Sequence, residues 1–511
     1  MRVKRTLYNS IYAIVAYAII GVLGLVLRKF FLVYLPTEYL GYEGLFYDIF
    51  SILSIADLGI AGIIQYKLFP AITNQKEEEV SKLMAVYKIL YRIVGCAILL
   101  IGVILVPFLK FIIKDNSLRW SYVYVVYFLQ LAATLCNYFL AYKRIMIVAH
   151  MRESEITKIE TACSFASYVV KIAVILLTRS YILYLTISIL NNIIANAIIA
   201  HKVNKDYPYI RVNTKITRQD IKELGIGNDL KNNVVQKICM AIYGGTDSIL
   251  ISSLIGIAEV GLLSTYKLIS SQISNVLTKL LNPFQASIAN YVYSEDVTDH
   301  EGLFKMFDRL GFFMACFIST SFLVLYNPFI ELLYGEQFLM SFAFVICFVI
   351  NQYITYAHKF LCFYRGSFGR FELDKTYTFV AAMLNLILSI VLAKPMGIAG
   401  IMLGTAIGHM GFWIGRARVV YTEYMKEPVI KYVTRQIANA ILCTAECALT
   451  YYICSFFPKN WGGFALMVLM CLLIPNVLNF IIFFKTKDMK MMFEYTKKTI
   501  NSVRSKKGGE E

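Results

Sequence analysis

Apolar runs of bilayer length recur from one end of this chain to the other, and that recurrence limits the possible folds more than any other feature. A hydrocarbon core about 30 Å thick is crossed by about 20 apolar helical residues. Windows of that length place fourteen spans. Six lie near 8–33, 44–68, 88–113, 120–142, 157–178 and 181–200. Eight more lie near 228–254, 261–291, 308–333, 338–362, 376–394, 398–420, 434–457 and 461–484. Composition agrees: 58% of residues are apolar and 16% charged, against about a quarter charged in soluble domains. The expected class is an all-α integral membrane protein with about 14 transmembrane helices.

Arg2, Lys4 and Arg5 precede a first run long enough to span, with no small-residue cleavage site after it, so it is read as a retained helix and not a signal peptide. Pro36, Pro70, Pro328, Pro395 and Pro458 fall at expected span ends, whereas Pro283 and Pro475 fall inside spans and predict kinks. The eleven cysteines are scattered through apolar stretches without a CxxC pair and read as small buried hydrophobes. Lys and Arg crowd alternate loops and the C-terminal tail, which places both termini in the cytoplasm. The net charge of +17 is then chiefly a topology signal beside anionic lipid, and its dispersal among short loops argues against nucleic-acid binding. A weak repeat relates Glu43-Gly44-Leu45-Phe46 to Glu259-Val260-Gly261-Leu262, each following a turn with a glycine, Gly41 or Gly256. The polar stretch His201–Glu223 reads as a cytoplasmic linker.

Charges inside spans carry the functional information, because each costs about 3 kcal/mol or more at mid-bilayer and needs a partner or a wet cavity. The cations are Arg28, Lys171, Lys237, Lys267 and Lys279. Span two carries Asp48 and Asp57, span seven Asp247, span twelve His409 and span thirteen Glu446. Converging cations would form a positive cavity for a phosphate or pyrophosphate. Alternatively, the same residues form buried ion pairs, such as Arg28 with Asp247 or Asp57, that only fix packing. Asp57, Asp247, His409 and Glu446 are also candidates for coupling transport to H+ or Na+, or for pairing. There is no P-loop, HExxH, GxSxG or metal-ligand set, and no catalytic residue or cofactor is expected.

The run Arg28…Tyr39-Leu40-Gly41-x-x-Gly44-Leu45-Phe46 with Ala56-Asp57-Leu58-Gly59-Ile60 resembles bacterial Wzx-type (O-antigen) polysaccharide flippases. So do Tyr142-Lys143-Arg144, Tyr207-Pro208-Tyr209 and Gly245-Thr246-Asp247-Ser248. Val260-Gly261-Leu262, Asn327-Pro328-Phe329 and Gly397-Ile398-x-Gly400 continue the series. That family belongs to the multidrug/oligosaccharidyl-lipid/polysaccharide (MOP) exporter superfamily. The resemblance implies two six-helix lobes, 1–215 and 216–425, around a central cavity, followed by two C-terminal helices and a basic tail in 426–511. It further implies alternating-access transfer of undecaprenyl-pyrophosphate-linked oligosaccharide across the bacterial cytoplasmic (inner) membrane, for O-antigen, capsule or exopolysaccharide, alongside a polysaccharide polymerase and other assembly proteins. Arg28 matches the first-span arginine of that pattern, and Asp57 and Asp247 its Asp-Leu-Gly and Thr-Asp motifs. The alternatives are a MATE-like drug/cation antiporter, which calls for an acidic cavity, and a membrane glycan polymerase or glycosyltransferase, which calls for longer external loops.

Overall fold

Among the described residues the helices fall where the apolar runs do; most of the expected span 228–254 and of the linker His201–Glu223 lies outside them. The computed structural model describes residues 2–54, 60–210, 239, 244–292, 299–368 and 371–507, and all regular structure among them is helical. The longer helices are α1 (Arg2–Tyr34), α2 (Thr37–Leu53), α3 (Ile60–Thr73), α4 (Glu77–Leu105), α5 (Trp120–Leu140), α6 (Glu153–Thr178) and α7 (Tyr181–Asp206). They continue with α8 (244–254), α9 (Ile257–Val292), α10 (His300–Tyr334), α11 (Phe342–Ala357), α12 (Lys359–Ser367) and α13 (Lys375–Met396). The last are α14 (Ile398–Arg418), α15 (Val429–Cys454), α16 (Trp461–Phe483) and α17 (Lys487–Lys507). Among the described residues nine helical segments are long and apolar enough to cross a membrane, and α3 and α11 are shorter apolar helices. Their outward faces confirm the solvent: Leu177, Ile441 and Ile481 are each at least two-thirds exposed, while Glu446 on the inner side of α15 is 1% exposed. This polar-in, apolar-out pattern suits lipid and would be costly in water.

Within the second expected span α2 ends at Leu53, where the Ser54 hydroxyl donates back to the Phe50 carbonyl, 2.7 Å away. The tenth divides at His358, whose backbone leaves helical geometry between α11 and α12. The prolines need correction. Pro36 and Pro458 stand outside helices, but Pro70, Pro328 and Pro395 lie within the closing turns of α3, α10 and α13, Pro328 six residues before Tyr334. A proline in the last turns removes a single helical hydrogen bond. Pro283 and Pro475 are inside α9 and α16, as expected.

Packing divides the chain into two compact units, Met1–Leu281 and Asn282–Glu511. In the first, α2 and α9 meet through glycine. A Cβ at Gly41 would overlap the Ile257 carbonyl, and one at Gly261 the Thr37 carbonyl. The two halves of the weak sequence repeat therefore supply the two sides of one close helix crossing. In the second unit, α13 and α14 form a hairpin that turns at Gly397 (φ +58°) and closes along Gly400, Gly404, Gly408 and Gly415. Asn385 Nδ2 donates to Thr405 Oγ1 at 3.0 Å across that seam, the kind of small-residue, hydrogen-bonded contact that replaces the hydrophobic effect in lipid.

Candidate functional site

The glycine crossing brings α9 close enough to α2 for side chains on both to share one charged site. Ser264 and Lys267 are three residues apart and so lie on one face of α9. Arg28 reaches over from α1, its Nη1 donating to Ser264 Oγ at 3.1 Å, while that hydroxyl donates to the Gly261 carbonyl at 2.8 Å. One turn further on, Lys267 Nζ lies 3.4 Å from Asp48 Oδ2. The same oxygen accepts from Ser248 Oγ on α8 at 2.5 Å. Buried Asp247, adjacent to Ser248, adds a second negative charge within electrostatic reach of the Lys267 ammonium.

The geometry of the Lys267–Asp48 pair is open. Closed charge-assisted hydrogen bonds run to about 2.7–2.9 Å, so 3.4 Å is a loose contact. Asp48 is 12% exposed at its side chain and Lys267 36%. The Lys267 side chain is thus partly accessible, and its contact with Asp48 is loose.

Glu43, one turn before Tyr47 on α2, has a buried Oε2 with no hydrogen-bond partner among the described residues. It acts electrostatically on Lys171, Tyr168 and Tyr184, and Arg28 acts on the same two tyrosines. Lys171 itself is buried, its ammonium 4.4 Å from the centre of the Tyr184 ring. That ring belongs to an aromatic nest in which Phe31 meets Tyr184 edge-on at 5.3 Å and Tyr39 stacks on Tyr181 at 4.6 Å. Lys171 is therefore held by a π face and a nearby carboxylate, an arrangement that stabilises a desolvated cation.

Of the residues singled out from sequence, the structure brings Arg28, Lys267 and Asp247 together and sets Lys171 in the adjoining aromatic nest. Lys279 lies twelve residues beyond Lys267 on α9, about a third of a turn around the helix. His409 and Glu446 belong to the second unit. His409 Nδ1 is 2.8 Å from Asn351 Oδ1 on α11, and Glu446 accepts from Asn479 Nδ2 at 3.0 Å. Asp57 and Lys237 lie outside the described residues. Sequence reasoning missed Asp48, Glu43 and Ser264 as site members. The available signal was that Asp48, like Asp57, stands inside an apolar run. Among the described residues no group of His, Cys, Asp and Glu is placed to hold a metal ion.

No protein-family model and no curated protein matches this sequence. Solved structures do match its fold. A lipid II flippase, MurJ, in an inward closed conformation superimposes with a TM-score of 0.66 at 12% identity, covering 93% of this chain and 99% of its own. An inward-facing multidrug-resistance MATE family transporter of the MOP superfamily gives 0.59 at 14% identity, over 81% of this chain and 99% of its own. The Vibrio cholerae MATE transporter VcmN gives 0.55 at 14% identity, over 82% and 97%. At these identities the likeness speaks for architecture. This chain is a multi-pass, all-α membrane protein with the fold of MOP-superfamily transporters.

Proposed function

We propose that this protein is a flippase for a polyprenyl-pyrophosphate-linked oligosaccharide, moving the carrier and its glycan across the bacterial cytoplasmic membrane with both termini inside. The observation that carries the reading is the partly exposed Lys267, loosely paired to Asp48, with Arg28 one helical turn away. Two cations from different helices, Arg28 of α1 at Ser264 and Lys267 one turn further along α9, suit the two phosphates of a pyrophosphate, with Arg28 offering a planar fork of donors and Lys267 a point charge. A fold shared with a structure described as a lipid II flippase supports the same substrate class.

In this reading the substrate phosphate displaces the Asp48 carboxylate from Lys267, and Ser248 keeps that carboxylate satisfied meanwhile. When the substrate leaves, Asp48 recaptures the ammonium, so the empty state does not strand a bare cation in the membrane. The transfer proceeds by alternating access and involves no covalent chemistry. Lys267→Ala and Arg28→Ala are each expected to cut surface polysaccharide at least about tenfold, the effect of losing one charge-assisted contact of 1.4 kcal/mol or more. The lipid-linked repeat unit should accumulate on the cytoplasmic leaflet in a strain carrying either variant as its sole copy. Wild-type polysaccharide in both variants would overturn the assignment.

A further inference from the structure

Within the first unit a cavity of about 500 Å³ opens between the C-terminal half of α2 and helices α3, α4 and α5. Its wall is not that of a lipid crevice. Tyr87 and Tyr91 lie ring to ring at 4.3 Å, and Tyr91 and Tyr138 at 5.7 Å, forming a short aromatic ladder. Facing it are the amides of Asn137 and Gln65 and the guanidinium of Arg144. Arg144 meets Glu160 through one Nη. A guanidinium carries five donors, so donor capacity is left over. Arg144 and Asn137 also wall a smaller cavity of about 250 Å³, lined by Asn191, Asn192 and Asn196.

The larger cavity falls within the ~300–1,000 Å³ range of small-molecule sites. Its chemistry narrows the occupant. A prenyl or acyl chain would leave the amides and hydroxyls dehydrated without partners. A cationic drug would meet Arg144, the one full charge of this cavity's described lining. A pyranose satisfies both halves of the wall: its C–H face packs on a tyrosine ring, and its hydroxyls exchange hydrogen bonds with planar amides and a guanidinium. Position agrees as well. Tyr47, Ser51 and Ser54 of the lining flank or follow Asp48 on α2. The two serines lie three and six residues past it, about 5–9 Å of helix rise.

We infer that this cavity is a glycan subsite, taking a sugar ring of the substrate while Lys267 and Arg28 hold its pyrophosphate. The inference rests on the flippase reading and goes further by assigning sugar recognition to Tyr87, Tyr91, Asn137 and Arg144. The test uses the full chain in lipid nanodiscs and measures equilibrium binding of farnesyl pyrophosphate. The same carrier bearing a neutral hexose, an N-acetylhexosamine or a uronic acid is measured beside it. At least one sugar-bearing probe should bind about tenfold more tightly than the bare carrier. Asn137→Ala, Tyr91→Ala and Arg144→Gln should each erase most of that margin while bare-carrier binding stays unchanged, and Lys267→Ala should weaken all probes alike. Asn137 is exposed, so its variant folds even where truncating a tyrosine does not. Glu160→Gln breaks the same ion pair from its other end, outside the cavity; it should keep the sugar margin. If wild type binds the bare carrier but no sugar improves binding, the glycan subsite is wrong and the pyrophosphate reading stands. The subsite is equally wrong if the margin survives the cavity variants. If wild type does not bind the bare carrier, both readings fall.

Discussion

The two units treat intramembrane charge in opposite ways. In the first, Lys267 is more than a third exposed and touches its one hydrogen-bonded carboxylate at 3.4 Å. In the second, Asp308 is 2% exposed and fully enclosed by donors. Arg435 Nη2 lies at 2.8 Å, Gln436 Nε2 at 3.0 and 2.8 Å from its two oxygens, and Tyr432 OH at 3.2 Å. The cavities follow suit. The first unit's cavity is walled by tyrosines, amides and an arginine, whereas the second unit has one of about 600 Å³ walled mainly by residues such as Leu323, Ile346, Ile350 and Ile437. A buried charge whose hydrogen bonds are all answered locks helices together; one left half-answered is available to a ligand. Identity and depth alone do not separate these roles, but pairing geometry does.

The largest expected effect comes from breaking a closed cluster. Removing one partner of a buried ion pair costs about 3–5 kcal/mol, because the other charge is left behind. Asp308→Ala should therefore lower the stability of the detergent-solubilised protein by that amount, seen as a large fall in melting temperature and in membrane yield. Asp308→Asn, which keeps an acceptor for Gln436 and Tyr432, should recover part of it. Lys267→Ala should cost less, because its contact with Asp48 is loose and Ser248 still donates to the carboxylate left behind. Equal melting temperatures for Asp308→Ala and Lys267→Ala would break the comparison.

A middle-sized effect tests the open pair from its other end. If Asp48 competes with substrate for Lys267, Asp48→Asn frees the ammonium and should tighten farnesyl pyrophosphate binding by about tenfold, equivalent to 1.4 kcal/mol. Transport should fall nevertheless, since no carboxylate returns to expel the product. An Asp48→Asn protein that binds the probe more weakly would make Asp48 part of the binding surface and remove the exchange mechanism.

Much of this architecture was legible in the sequence, and the rest was hidden for physical reasons. Apolar runs located the helices because bilayer thickness sets helix length directly. They concealed the break at His358, because a helix interrupted inside protein keeps its hydropathy. Arg28 and Lys267 stood out as charges in apolar runs, but nothing in a linear pattern says that Lys267 turns toward Asp48 across 219 residues. The same limit hid the place of Arg144, which the sequence marks only within Tyr142-Lys143-Arg144 and which walls two cavities. Lys171 was legible as an intramembrane cation, yet its aromatic nest depends on three helices meeting. Tertiary pairing, the property that separates the two units, is the one that composition and period do not encode.

The smallest effect lies outside the membrane and asks whether pairing alone suffices to make a charge matter. Asp299 caps α10, accepting from the Gly302 backbone N–H at 2.7 Å, and Lys487 Nζ lies 3.1 Å from its other oxygen. The backbone N–H and then the Lys487 ammonium hold the Asp299 carboxyl below the usual carboxylate range. Because the folded value is depressed, the stabilisation is complete above the unfolded value of about 4 and is lost as pH falls through the lower folded value. Both side chains are largely hydrated, 44% and 83% exposed, so solvent screening reduces the gain to a few tenths of a kcal/mol. Asp299→Asn keeps a capping oxygen and removes only the charge. Its melting temperature should fall slightly short of wild type at pH 7 and match it only once pH has dropped below the depressed folded value, the gap at pH 7 closing in high salt. A gap as large as that of Asp308→Ala would mean that pairing without burial is enough, and burial would no longer explain how the two units differ.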